Sequence, residues 1–281
     1  MKVVVLGAGG QLGQVVAARA AAHGHDVLAW ARRDGDVTQP AALGAALAAA
    51  KPDAVFNCAA YARVDEAEDE PLQAFAANAW ALRELARLSR RHAFTLIHYS
   101  TDFVFDGIAP GPHRETDTPN PRGVYASSKL VGEWFAAEAP AHYILRVESL
   151  FGGPAQKSSV DLLLSGILAG REVKAFADRS VSPSFVVDVA EASLALVERR
   201  SAFGLYHCVN SGSTNWLELT ETLARLAGRT DAAITPVKMA GLAMRVPRPL
   251  NAALSNDKLR AAGVAMPSWQ DALARYIAML S

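Results

Sequence analysis

The chain has 281 residues, enough for one large domain or two modest ones and for a core that needs neither disulfide nor metal to hold it. Its 28 basic and 28 acidic residues cancel, which excludes a broad electrostatic attraction to nucleic acid or to an anionic membrane. The hydrophobic share of 51% and the mean hydropathy of +0.11 come from alanine-rich segments, and no window reaches the ~20 apolar residues of a membrane span.

The opening run Lys2–Leu6 is apolar after its lysine, as in a strand covered on both faces. It is too short for a signal peptide and turns at once into glycines. Gln11–His23 then puts Leu12, Val15, Val16 and Ala20 on one helical stripe and closes at Gly24. Asp26–Trp30 reads as a strand, Ala41–Ala50 after Pro40 as a helix, and Ala54–Cys58 as a strand. Pro71–His92 reads as one long helix and Thr95–Tyr99 as a strand. Cys58 and Cys208 lie in apolar segments and are expected as buried thiols of a reducing, cytoplasmic compartment.

Residues Asp106–Arg122 hold four prolines and three acidic residues, which predicts a loop. A helix over Ser127–Glu138 and a strand over His142–Val147 resume the alternation. Beyond Gly152 come a helix Ser158–Ala169, a strand near Val173–Phe176, a helix Asp188–Arg199, a strand Leu205–Cys208, and helices Trp216–Leu226 and Trp269–Leu280. Strands alternating with helices imply a Rossmann-type α/β fold, a doubly wound parallel sheet with right-handed crossovers. We place it in residues 1–150 with return segments near 185–208, and expect residues 151–281 to form mainly a smaller, interleaved lobe.

Gly7-Ala8-Gly9-Gly10-Gln11-Leu12-Gly13 sits between a strand and a helix, where glycines 7, 10 and 13 admit a pyrophosphate onto the helix N-terminus. At the end of the second strand, Ala31-Arg32-Arg33 stands where NAD-preferring sites place an acid. Arg32 and Arg33 suit the extra phosphate of NADPH, or are solvated surface charges. Tyr125 and Lys129 are four residues apart, on one helix face, where an ammonium lowers a phenol pKa toward the range of proton transfer. Ser100-Thr101-Asp102 ends a strand at the carboxyl edge of the sheet, where a ligand sits in this architecture.

Taken with Asn57-Cys58-Ala59-Ala60-Tyr61, Tyr125-Ala126-Ser127-Ser128-Lys129 and Gly132-Glu133, these motifs resemble the extended short-chain dehydrogenase/reductase superfamily. Within it the chain resembles the dTDP-4-dehydrorhamnose reductases, through Val64-Asp65-Glu66-Ala67-Glu68, Ser100–Gly107, Glu115-Thr116-Asp117 and Arg248-Pro249-Leu250-Asn251. The resemblance implies a catalytic triad of Thr101, Tyr125 and Lys129. It implies a cofactor site of Gly7, Gly10, Gln11, Leu12, Gly13, Arg32, Arg33, Asp36, Val37, Cys58, Ala59, Ala60, Tyr61, Asn78 and Ser100, with Tyr125 and Lys129. It implies substrate contacts from Val64, Asp102, Phe103, Ser149 and Arg248 within or beside a substrate-binding lobe.

The implied reaction is reduction of the C4 ketone of a nucleotide-linked deoxysugar, most simply dTDP-4-dehydrorhamnose, by NADPH, with NADH left open. A homodimer is also left open. Two departures bear on the hexose: Phe103 stands where the family has tyrosine, and Arg146-Val147-Glu148-Ser149 where it has Arg-Thr-Ser-Trp. Asp178–Ser184 also follows the family pattern only loosely. The competing readings are a non-catalytic nucleotide-binding subunit and a related sugar-nucleotide epimerase. No His or Cys spacing suggests a metal, and Val15 replaces a magnesium-binding glutamate of some relatives, so no metal is expected. The acidic run Asp65–Glu70 reads as a solvated turn.

Overall fold

The computed structural model describes residues 1–280. Its first half alternates β1 (Lys2–Leu6), α1 (Gln11–Ala22), β2 (Asp26–Trp30), α2 (Pro40–Ala50) and β3 (Ala54–Asn57). There follow α3 (Pro71–Phe75), α4 (Ala81–His92), β4 (Thr95–Thr101), α5 (Gly123–Ala136) and β5 (His142–Val147). The second half holds β6 (Leu150–Phe151), α6 (Ser159–Leu168), β7 (Val173–Phe176), β8 (Ser180–Val181), β9 (Ser184–Phe185), α7 (Val186–Glu198) and β10 (Gly204–His207). It ends with β11 (Thr214–Asn215), α8 (Trp216–Leu226), β12 (Ile234–Val237), α9 (Asp257–Ala261) and α10 (Trp269–Leu280).

Six strands form one parallel sheet in the order β2-β1-β3-β4-β5-β10. Val3 and Val5 of β1 pack on one face against Val15 and Val16 of α1 and Val186 and Val189 of α7. Val4 and Leu6 pack on the other, against Leu43 and Leu47 of α2 and Leu82 and Leu85 of α4. This two-sided cover is the reason β1 reads as an unbroken apolar run. From β1 the chain passes outward to β2, then returns to β3 on the opposite side of β1. The resulting switch point opens a crevice at the carboxyl ends of β1 and β3, beside Gly7 and Cys58. A third core, with Phe151, Phe185, Trp216, Trp269 and Tyr276 at its centre, is built from the second half.

The expected helix Pro71–His92 is interrupted by a π turn at Ala76–Trp80. The cause is Asn78, which is buried and bonds outside the helix: its Oδ1 accepts from Tyr61 N (2.9 Å), and its Nδ2 donates to Tyr61 O (2.9 Å) and Ser128 Oγ (3.0 Å). α5 starts at Gly123 rather than Ser127, because the Glu68 carboxylate accepts from Val124 N at 2.6 Å and caps the helix from far away in sequence. The acidic run is accordingly not simply a solvated turn. Asp65 pairs with Arg248 (2.6 and 3.1 Å), Asp69 with Arg245, and Glu70 accepts from the Tyr61 hydroxyl at 2.6 Å. The pattern predicted neither β12, which pairs with β7, nor the short α9.

Candidate active site

The glycine turn is held by its own backbone. Gly7 has φ +72° and a Cβ there would lie 2.6 Å from Ala59 N, while a Cβ on Gly13 would overlap the Gly7 carbonyl. No side chain caps α1, whose N-cap is Gly10, so its first amides face the crevice without a protein partner. The adjoining pocket of 260 Å³ is lined by Gly7, Gly10, Arg32, Asp36, Val37, Cys58, Ala59 and Ala60 of the expected cofactor set. The Gln11 side chain packs against Gly153, and its buried Nε2 has no partner. Bare amides, a cradle that any Cβ would fill and an orphaned amide nitrogen fit a dinucleotide.

The remaining expected cofactor residues lie elsewhere. Arg33, with its side chain 89% exposed, points to solvent and pairs with Asp34 at 3.5 Å, which leaves Arg32 alone at the pocket. Leu12 is in the core. Tyr61 turns its hydroxyl to Glu70, and Asn78 holds the Tyr61 backbone from behind. The Ser100 hydroxyl donates to Glu133 Oε1 at 2.5 Å, and Glu133 also takes a two-pronged bond from Arg146 (2.7 and 2.8 Å). This buried network ties α5 to the carboxyl edge of β4 and β5.

On α5, Lys129 is buried and donates from Nζ to the Tyr99 carbonyl at 2.6 Å. Burial lowers its pKa to about 8. Burial, then the charge of Asp102, pushes Tyr125 up to about 12, against a hydrogen bond with Thr101 that pulls it down. The spacing argument predicted a lowered phenol, and the structure reverses it. The ammonium is aimed at a carbonyl, so burial decides. The phenol is thus firmly in its proton-donating form.

Thr101 accepts from Phe103 N (3.2 Å) and donates to Asp102 Oδ1 (3.0 Å). The Phe103 ring meets Tyr125 edge-on at 5.8 Å, and the Arg248 guanidinium lies 5.9 Å above the same ring. Val64 is half-buried, next to Asp65, which holds Arg248. Ser149 has φ +40° and donates to Glu148 Oε1; Glu148 Oε2 accepts from Ser182 N at 2.6 Å. Glu148 and Arg179 are the site residues the sequence reading missed. Burial raises Asp102 to about 6 and Glu148 to about 8, the latter also through the Asp102 charge, while Arg179 draws both down. Arg179 also lines a 330 Å³ pocket with Leu162, Val173, Phe176 and Trp216. The available signal was a carboxylate at the carboxyl end of a buried strand. Among the described residues no group of three or more His, Cys, Asp or Glu side chains could hold a metal ion.

A dinucleotide cradle at the switch point beside a Thr-Tyr-Lys set defines an NAD(P)H-dependent oxidoreductase of the short-chain dehydrogenase/reductase kind. The family model described as "RmlD substrate binding domain" matches residues 1–281, and the chain belongs to the dTDP-4-dehydrorhamnose reductase family. It is 36% identical over 283 residues to a dTDP-4-dehydrorhamnose reductase of Mycobacterium tuberculosis, covering 99% of this chain and 92% of that one. It is 34% identical over 278 residues to a Streptomyces antibioticus protein named "Probable dTDP-4,6-dihydroxy-2-methyloxan-3-one 4-ketoreductase", covering 97% and 93%. Among solved structures, the Bacillus anthracis dTDP-4-dehydrorhamnose reductase in complex with NADP superposes with a TM-score of 0.93 at 29% identity, covering 99% of this chain and all of that one.

Proposed function

We propose that this protein reduces the C4 ketone of a dTDP-linked 4-keto-6-deoxyhexose with NADPH. The observation that carries this is the convergence of Thr101, Tyr125 and Lys129 at the sheet edge next to the glycine cradle. When bound, NADPH supplies the hydride. The Tyr125 phenol donates a proton to the ketone oxygen, and the Thr101 hydroxyl orients that oxygen. Lys129 would leave the Tyr99 carbonyl for a ribose hydroxyl, and Arg32 would hold the 2′-phosphate.

The sugar would lie against Phe103, Ser149 and Arg248, with the nucleotide reaching toward the apolar pocket that shares Arg179. This reading gives residues 1–150, with α7 and β10 as return segments, to the cofactor and most of 151–281 to the substrate. The hexose is dTDP-4-dehydrorhamnose or a close 4-keto analogue. Two relatives of nearly equal identity carry names with different C4-keto substrates, and Phe103 and Ser149 depart from the family pattern on the sugar side.

The test mixes purified protein with NADPH and a panel of dTDP-4-keto sugars and follows absorbance at the nicotinamide band. Oxidation of NADPH with one of them supports the reading. Cofactor binding without any turnover across the panel overturns it in favour of a regulatory subunit.

No helix among the described residues is long and apolar enough to cross a membrane. The free thiols of Cys58 and Cys208 support a cytoplasmic location. A homodimer rests on the family resemblance alone. Light scattering giving the mass of one chain overturns it.

A further inference from the structure

The chemistry proposed for Tyr125 depends on where its hydroxyl stands, and that is decided at the start of α5. Tyr125 is the third residue of the helix, after Gly123 and Val124. The first amides of a helix have no partner inside it, and Arg122, the residue before α5, caps none of them with its side chain. Glu68 supplies an acceptor from elsewhere: its Oε1 takes a hydrogen bond from Val124 N at 2.6 Å, across 56 positions of sequence. Gly123 enters the helix with φ +84°, and a Cβ there would lie 2.8 Å from Glu68 Oε1 and 2.8 Å from Val246 Cγ1. The helix therefore begins in a slot closed by a carboxylate and a valine.

The acidic turn also reaches the phenol itself. Ala67, between Glu66 and Glu68, is buried in a small apolar cluster with Tyr61, Ala74 and Ala77, and Val124 and Tyr125 pack against that cluster. Asp65 grips Arg248 at 2.6 and 3.1 Å, and that guanidinium lies 5.9 Å above the Phe103 ring, which meets Tyr125 edge-on at 5.8 Å. One short stretch of chain thus holds Tyr125 at its backbone and backs it at its ring. Asp69 of the same turn differs, because its pair with Arg245 lies between two half-exposed side chains and such a surface pair contributes at most ~1 kcal/mol.

We propose that Glu68 is a positioning residue for the proton donor: its hydrogen bond to Val124 N seats the first turn of α5 so that the Tyr125 hydroxyl meets the substrate ketone. This rests on the reductase reading above, in which Tyr125 is the donor. Glu68 acts only through the helix. A phenol is long, so a small tilt of the first turn is magnified at its hydroxyl, and a misplacement of ~1 Å costs about 10²-fold in rate.

The experiment compares the intact protein with Glu68→Ala, Glu68→Gln and Asp69→Asn, using NADPH and the dTDP-4-keto sugar that turns over best. It measures kcat, sugar KM, NADPH Kd, the melting temperature and the ratio of kcat in H2O to kcat in D2O. For Glu68→Ala the expected kcat is at least ~10-fold lower, with sugar KM and NADPH Kd within about threefold. Its D2O ratio rises above the parent's, because transfer of the phenol proton has become the slow step. Glu68→Gln keeps an oxygen for Val124 N and returns kcat to within about threefold of the parent. Asp69→Asn stays within about twofold in every quantity.

A Glu68→Ala protein that melts lower but keeps the parent kcat shows a cap with a structural role only, and overturns the proposal. So does a raised sugar KM with kcat unchanged, which makes Glu68 a substrate contact, or a lowered kcat with an unchanged D2O ratio, which puts the loss outside proton transfer. Glu68→Gln no better than Glu68→Ala, or Asp69→Asn falling as far, also overturns it. Should Glu68→Ala fail to fold, Glu68→Asp, one methylene short of Val124 N, must show the same lowered kcat at near-parent KM, and a parent-like kcat there overturns the proposal. An intact protein that oxidises no NADPH with any sugar defeats the reductase reading instead.

Discussion

On the proposed reading, the crevice has a cofactor half and a substrate half made of different material. The cofactor half is backbone: a glycine turn, bare amides of α1, and the Cys58–Ala60 segment pressed against Gly7. The substrate half is side chains drawn from distant segments, with Asp102 after β4, Glu148 and Ser149 after β5, Arg179 after β7 and Arg248 near the C-terminus. A backbone site tolerates change only where no Cβ intrudes. A side-chain site can be respecified residue by residue, which is the behaviour expected of a fold that serves several sugars.

The sharpest break between the halves is Tyr125→Phe. It removes the proposed proton donor and leaves the cradle intact, so kcat should fall by ~10²–10⁴ while NADPH affinity stays within about twofold. Fluorescence titration alongside turnover checks both. Gly7→Ala does the reverse. Its Cβ would meet Ala59 N at 2.6 Å on a backbone with φ +72°, and strain of order 1–3 kcal/mol should weaken NADPH about 5- to 150-fold. A calorimetric Kd matching the parent's would show that the turn gives way at no cost.

Within the cofactor half, Arg32→Ala should weaken NADPH about tenfold and NADH little, whereas Arg33→Ala should change neither. Equal losses for both cofactors at Arg32 would remove it from the phosphate. In the substrate half, Phe103→Tyr with Ser149→Trp should raise the kcat/KM ratio of dTDP-4-dehydrorhamnose over competing 4-keto sugars about fivefold. Melting should show the double variant destabilised by about 1 kcal/mol, since tryptophan at φ +40° is strained and the bond to Glu148 is lost. A lower ratio would mean that these positions do not read the sugar.

The smallest effect lies outside the crevice, where His23 bonds Glu191 and Glu198 and ties α1 to α7. The Glu198 hydrogen bond raises the His23 pKa, so this stabilisation is complete below the free-histidine pKa and fades as pH rises through the raised value. The melting temperature of the parent should drop slightly relative to His23→Gln between about pH 6 and 8. Parallel curves would show that the histidine contributes nothing.

What the sequence made legible follows the same division. The strand–glycine–helix start and the Tyr125–Lys129 spacing are local patterns, and both landed where the fold needs them. The direction of the Tyr125 pKa was not legible, because it depends on where the Lys129 ammonium points and on a carboxylate from another strand. Glu68 capping α5, the arginines gripping Asp65 and Asp69, and the Asp102–Glu148 pair all join segments far apart in the chain. No window of neighbouring residues contains them. Arg33 reads like Arg32 in the sequence, and only the turn through Asp34 separates their directions.

A Cβ on Gly132 would overlap the carbonyl oxygen of Asn78 in the π turn, so α5 and that turn touch backbone to backbone. Lys129 and Tyr125 stand on the same helix, one and two turns away, so their position against Thr101 is set by this contact, outside the crevice. In a mutational library selected for new sugar specificity, position 132 should therefore stay empty of every residue but glycine. A screen for conditional, heat-sensitive alleles should find it instead, with activity fading well below the temperature at which the sheet itself melts.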